Sequence, residues 1–151
     1  MSGHRLAANG VEVVVRGGWE VEFSELRADP GAAPRSLVHL ANFALPAERG
    51  DYGSGAVETM DAGGIFIVLM EFDPASASTA MFSGRDVPHG LEAADFSPAS
   101  LQRRLGGQAG AQRFFRAGER AFGLYVVLGA HRHANLLAHE VNLSLAGVTI
   151  G

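Results

Sequence analysis

Apolar runs of strand length alternate along this chain with breaks rich in glycine and proline. Val11-Glu12-Val13-Val14-Val15-Arg16 is short and β-branched, which predicts a strand. After Gly17-Gly18, Trp19, Val21 and Phe23 alternate with Glu20, Glu22 and Ser24. That period of two marks a strand with one face in the core and its acids in water. A hairpin turning at Gly17-Gly18, on the edge of a sheet, is the simplest arrangement of the pair. Residues 28–34, with Asp29-Pro30-Gly31, read as a loop. Residues 36–45 predict a third strand, apolar on both faces and ended by Pro46.

Residues 47–55 form a glycine-punctuated loop, and 56–60 suit one or two helical turns closed by Gly63-Gly64. Ile65-Phe66-Ile67-Val68-Leu69-Met70 is continuously apolar, as expected of a strand covered on both faces. Residues 75–111 are the least regular; within them Met81-Phe82 suits a short edge strand. Ser97-Pro98 predicts an N-cap and first helical position, with Asp95 adding negative charge near the positive helix end. That helix would run to about Leu105 and stop at Gly106-Gly107. Residues 112–117 and 120–128 predict a hairpin about Gly118-Glu119. Residues 133–146 carry the strongest helical pattern, with Gly147 as C-cap. Ala134, Leu137, Ala138, Val141 and Leu145 fall within about one quarter of its circumference. Val148-Thr149-Ile150 suits a last pairing segment.

These elements predict one α+β domain over residues 1–151, with 1–10 outside its ordered part. A single, mostly antiparallel sheet of about six strands would carry the C-terminal helix and the shorter helix, tending to three layers. In that order, an early strand, the turn Gly18-Trp19, an apolar central strand, a late hairpin and a C-terminal helix resemble the PsbP-like α/β/α sandwich. Gly17 stands where such proteins usually carry proline before the Gly-Trp pair. The resemblance covers most of the chain in element order. It implies a non-catalytic domain used for docking, chaperoning or assembly, and assigns no catalytic residue.

Composition removes whole chemistries. Among 151 residues there is no cysteine, which excludes disulfides, thiolate nucleophiles and Cys-ligated metals. All 12 basic residues are arginine, so Schiff-base and phosphate-binding lysines are absent. The arginine bias, with abundant Ala and Gly, reads as the codon usage of a high-GC bacterium. Net charge is −4 and the arginines are scattered, which argues against nucleic acid. The first nine residues hold no apolar core of signal-peptide length, and no apolar stretch of 18 residues occurs. Neither a membrane nor a secretory route is therefore expected, and the cytoplasm is.

Histidine and carboxylate are what remain. His131, His133 and His139 near Glu140 invite a metal, but His133 and His139 point about 240° apart on a helix, unlike a spacing of four. No metal or other cofactor is expected. Glu71 and Asp73, two apart at a strand exit, with His39 or His89, are the candidates for a cofactor-independent acid–base hydrolase or isomerase. The loop Gly50-Asp51-Tyr52-Gly53-Ser54-Gly55 has the outline of an anion cradle, though Asp51 and Glu58 oppose an anion. Leu136 and Leu143, seven apart, lie opposite the apolar stripe of the last helix and beside His139. Either residues 75–95 fold over them or they face outward toward another surface. The expected function is accordingly a binding or assembly module without catalysis. It would engage a protein partner or a second copy of itself through Leu136, His139 and Leu143, with the acid–base enzyme as the alternative.

Overall fold

The computed structural model describes residues 3–26, 30–31 and 33–151; residues 28, 29 and 32 of the expected loop at 28–34 lie outside them. The strands are β1 (His4–Ala8), β2 (Val11–Val15), β3 (Glu20–Leu26), β4 (Arg35–Ala41), β5 (Ile65–Phe72), β6 (Gly84–Arg85), β7 (Ala109–Ala117), β8 (Arg120–Leu128) and β9 (Val148–Ile150), with one α-helix, α1 (Ala134–Leu145). The fold is α+β, with two sheets: six strands in the order β3-β4-β5-β8-β7-β6, and three in the order β1-β2-β9. Neighbours are antiparallel except β6, which runs parallel to β7.

The two wholly apolar runs sit side by side at the centre of the larger sheet, as β5 and β8. Ile65, Ile67 and Leu69 face one way with Leu124, Val126 and Leu128; there they meet Val11, Val13 and Val15 of the small sheet and Ala134, Leu137, Ala138, Val141 and Leu145 of α1. Phe66, Val68 and Met70 face the other way and are covered by irregular segments carrying Ala56, Val57 and Leu101. Because both faces of these strands are dry, alternation disappears from their sequences.

Several expectations are corrected. The two sheets replace the single one, and β2 does not form a hairpin with β3. The chain turns a corner at Gly17-Gly18 instead, with Gly18 at φ +82° and the Trp19 N–H donating to the Arg16 carbonyl at 3.0 Å. Trp19, Val21 and Phe23 still face the core that β2 faces, so the alternation is the same in a corner and in a hairpin. His4–Ala8, expected to be unstructured, pairs with β2 over five residues. β4 stops at Ala41 rather than residue 45. There the Asn42 N–H still donates to the Ile65 carbonyl at 3.3 Å, and its side chain adds two bonds, accepting from Ile65 N–H at 2.7 Å and donating to the Gly63 carbonyl at 2.9 Å.

The shorter helix is one 3-10 turn, Pro98–Ser100, although Ser97 Oγ caps it at 3.1 Å. Ser97 also exchanges backbone hydrogen bonds with Gly110, and the Gln102 N–H donates to the Tyr125 hydroxyl at 2.7 Å. These contacts outbid a weak propensity. Asp95, expected to favour that helix, closes a capping box with Glu92 on the preceding turn. Met81-Phe82 lies in the 3-10 turn Ala80–Phe82, and the edge strand is β6 just after it. The late hairpin, α1 and the closing strand stand where the pattern put them. The C-cap is Ala146 rather than Gly147, which follows it where a Cβ would lie 3.1 Å from the Val14 carbonyl, and β9 then pairs with β2.

One guanidinium joins the sheets. Glu71 shares a face with Leu69 near the end of β5 and is 8% exposed. Arg120 grips it through Nε and Nη2, both at 3.0 Å, and the Ser36 N–H donates to the same carboxylate at 2.9 Å. Nη1 donates to the Gly151 carbonyl at 3.0 Å and Nη2 to the Asn9 carbonyl at 2.9 Å. Burial alone would raise the Glu71 pKa. The hydrogen bonds from Arg120 and Ser36, with the charges of Arg120 and Arg35, outweigh it and hold the carboxyl below its ordinary value. Arg120→Ala is therefore expected to cost about 3 kcal/mol of unfolding free energy in urea, because it strands a buried charge. Glu71→Gln should cost less, about 1–2 kcal/mol. A loss below about 0.5 kcal/mol for Arg120→Ala, as at an ordinary surface position, would show that water takes over the carboxylate.

Candidate functional site

His39 is buried on β4 and faces Phe66, with ring centroids 5.1 Å apart. Cross-strand pairing puts Glu22 of β3 directly beside it. The loop after β4 supplies the rest: Arg49 Nε donates to His39 Nδ1 at 2.7 Å, and His39 Nε2 lies 2.8 Å from the Asp51 carbonyl. Since Nδ1 accepts and a carbonyl can only accept, the ring is neutral with its proton on Nε2. Arg49 further bonds the Pro46 carbonyl at 2.6 Å and pairs with Glu22 at 3.0 Å. A cleft of about 230 Å³ opens beside these groups.

As a catalytic base His39 is already committed, for both ring nitrogens are engaged. Burial, the largest effect, pushes its pKa below the ordinary imidazole value; the bond to the Asp51 carbonyl opposes it, the Arg49 charge adds to it, and the Asp51 and Glu22 carboxylates oppose it less. Nor do the other candidates converge on it. His39 pairs with Val68, on the face of β5 opposite to Glu71. Asp73 caps the turn Pro74–Ser78 by accepting from the Ala75 N–H at 2.9 Å. His89 is exposed in a separate cleft with Asp86, Val87 and Ile150. His131 and His133 form an exposed 3-10 turn ahead of α1, and among the described residues no three His or carboxylate groups gather as metal ligands. The glycine loop is filled from within: both oxygens of Glu58 accept from the Gly55 N–H at 3.0 Å, where an anion would sit.

The face of α1 is different. Leu136 is 66% and Leu143 44% exposed, and His139 between them is exposed too. Residues 75–95 do not cover them. That segment reaches α1 at its flank, where Asn142 exchanges two hydrogen bonds with the backbone of Leu91, at 2.9 and 2.8 Å. A shallow cleft lies there between Leu91–Ala94 and Asn135, Ala138, His139 and Asn142. On the opposite flank Arg16 ties β2 to the helix through the Glu140 carboxylate at 3.0 Å and Ser144 Oγ at 3.2 Å.

The sequence reading missed Arg49 and Arg120, the two residues that consume His39 and Glu71. Only the strand register and the loop path bring them together, and no spacing announces that. The Leu136–Leu143 line, by contrast, follows from helical geometry alone. Compared with protein-family models, with curated proteins and with solved structures, the chain matched none. Among the described residues no helix is long and apolar enough to cross a membrane.

Below about 6.5, the ordinary imidazole value, unfolded chains take up a proton that folded His39 resists. Its contribution to stability is thus complete above that pH and is lost as pH falls toward the depressed folded value, with a slope of at most about 1.4 kcal/mol per pH unit. Glu71 adds a second loss as pH falls below about 4.5, its ordinary value. Urea midpoints measured from pH 7.5 to 4 should fall in these two stages, and His39→Asn should flatten the first. An unchanged first stage in His39→Asn would assign that titration elsewhere.

Proposed function

We propose that this chain is a cytoplasmic binding and assembly module without catalytic activity that self-associates through α1. The observation that carries the reading is the exposed line of Leu136 and Leu143, on a helix whose opposite side is fully engaged with the core. Large exposed apolar side chains aligned on one helix face are the ordinary mark of a covered surface. Two copies of α1 crossing antiparallel about the midpoint between His139 and Glu140 set Leu136 of one against Leu143 of the other. The same register sets His139 opposite Glu140, a complementary pair. A two-fold contact of this kind is self-complementary by construction.

The absence of a usable acid–base pair supports the same reading, since His39 and Glu71 serve the fold. The order of elements, with Gly18-Trp19 and the C-terminal helix, supports kinship with the PsbP-like sandwich and hence a docking or assembly role. The scattered arginines and negative net charge speak against nucleic acid as the partner.

The test is solution mass. The parent should run as a dimer in sedimentation equilibrium, and Leu136→Glu/Leu143→Glu as a folded monomer of 15.8 kDa. A parent already monomeric at high concentration, or a double variant of unchanged mass, would reject self-association through this face. A monomeric parent that binds a different protein, with the binding lost in the double variant, would replace the second copy by that partner.

A further inference from the structure

Two arginines lie side by side at the far edge of the larger sheet. Arg85 of β6 is the ladder partner of Arg116 of β7 in the one parallel pairing of the fold. Paired residues on neighbouring strands send their side chains to the same face, about 4.8 Å apart at the backbone. The placement is fixed by the chain itself. Asp86, at φ +63°, turns the backbone sharply after Arg85, and its N–H donates to the Arg116 carbonyl at 2.8 Å.

Like charges directly opposite each other on a sheet are destabilising. Six other arginines are matched: Arg5 with Glu12, Arg16 with Glu140, Arg49 with Glu22, Arg103 with Glu58, Arg113 with Asp95 and Arg120 with Glu71. Arg35, Arg104 and Arg132 form no ion pair among the described residues, but none of them is set opposite another arginine on a strand. Among the described residues the side chains of Arg85 and Arg116 have no hydrogen-bond or ion-pair partner. Both line one cleft of about 280 Å³, with Asp86 and Gly118 as its other walls. At Gly118 a Cβ would meet nothing within 4 Å, so that wall is open to an entering group. Asp86 contributes a carboxylate to the cleft but forms no ion pair with either arginine.

We propose that this cleft binds the phosphate group of a small phosphorylated molecule, held between the Arg85 and Arg116 guanidinium groups. Two planar forks of N–H donors on one side of a small open cleft suit a dianion with several acceptor oxygens. Its charge removes the repulsion that the empty pair carries. Asp86 weakens the interaction by its own negative charge and sets an upper bound on affinity. The site is separate from the α1 face and does not rest on self-association.

Inorganic phosphate is the probe, followed by 31P line broadening and by the rise in melting temperature, against sodium chloride at matched ionic strength and against succinate. Saturable binding of phosphate is expected in the parent, weaker by at least about tenfold in Arg85→Gln and in Arg116→Gln, as for loss of a charge-assisted hydrogen bond, and tighter in Asp86→Asn. Without phosphate, both arginine variants should melt no lower than the parent, since each removes a repulsion. Phosphate binding no stronger than chloride, or unaltered in the arginine variants, would overturn the proposal. So would succinate bound as tightly as phosphate, which would make the site one for carboxylates, or a lower phosphate-free melting temperature in either variant, which would make the pair structural.

Discussion

The two sheets are joined at their common edge by one guanidinium that reaches both, that of Arg120. Apolar packing between the sheets is non-directional and would tolerate sliding. The fork of Arg120 does not, because its donors point in fixed directions at the Glu71 carboxylate and at carbonyls from the β1–β2 turn and the end of β9. Its Cζ also lies over the Phe122 ring, 5.1 Å from the centroid. The carboxylate tolerates burial because its oxygens are met by Arg120 and by the Ser36 N–H. This one set of bonds ties backbone atoms of the β1–β2 turn and the chain end after β9 to a side chain and a carboxylate of the larger sheet.

The same device recurs wherever the chain leaves regular structure. Long irregular segments cover one face of the larger sheet, and their backbone groups need partners that no ladder supplies. Side chains on the regular elements or next to their ends provide them: His39 for the Asp51 carbonyl, Asn42 just after β4 for Ile65 and Gly63, Asn142 for Leu91, Gln108 just before β7 for the Val57 carbonyl. Several of these are the polar residues a sequence reader would reserve for chemistry. Once they hold loops in place, little titratable chemistry is left inside; Gln108 Oε1 is buried without a partner, and the exposed features that remain are the leucine line on α1 and the arginine pair at the β6–β7 edge.

Those two outer features differ in how they came to be visible. Leu136 and Leu143 stand opposite the buried stripe by helical periodicity, and the structure leaves both exposed rather than covered by residues 75–95. Arg85 and Arg116 are 31 positions apart and look like members of a scattered set. Their adjacency exists only because a two-residue strand runs parallel to β7, and two residues carry no periodicity to read.

The chain's own pattern determined the centre and the end of the fold. β5 and β8 are apolar at nearly every position, the hairpin between β7 and β8 has its glycine turn, and α1 has its stripe; each signal is local and strong. Tertiary structure decided the corner at Gly17-Gly18, the strand at His4–Ala8, the collapse of the expected helix after Ser97 to one turn, and the fate of His39 and Glu71. In each of those cases the local preference was weak or matched two arrangements equally. The choice between them was made by partners distant in sequence, through the burial and hydrogen bonds that only the assembled chain provides.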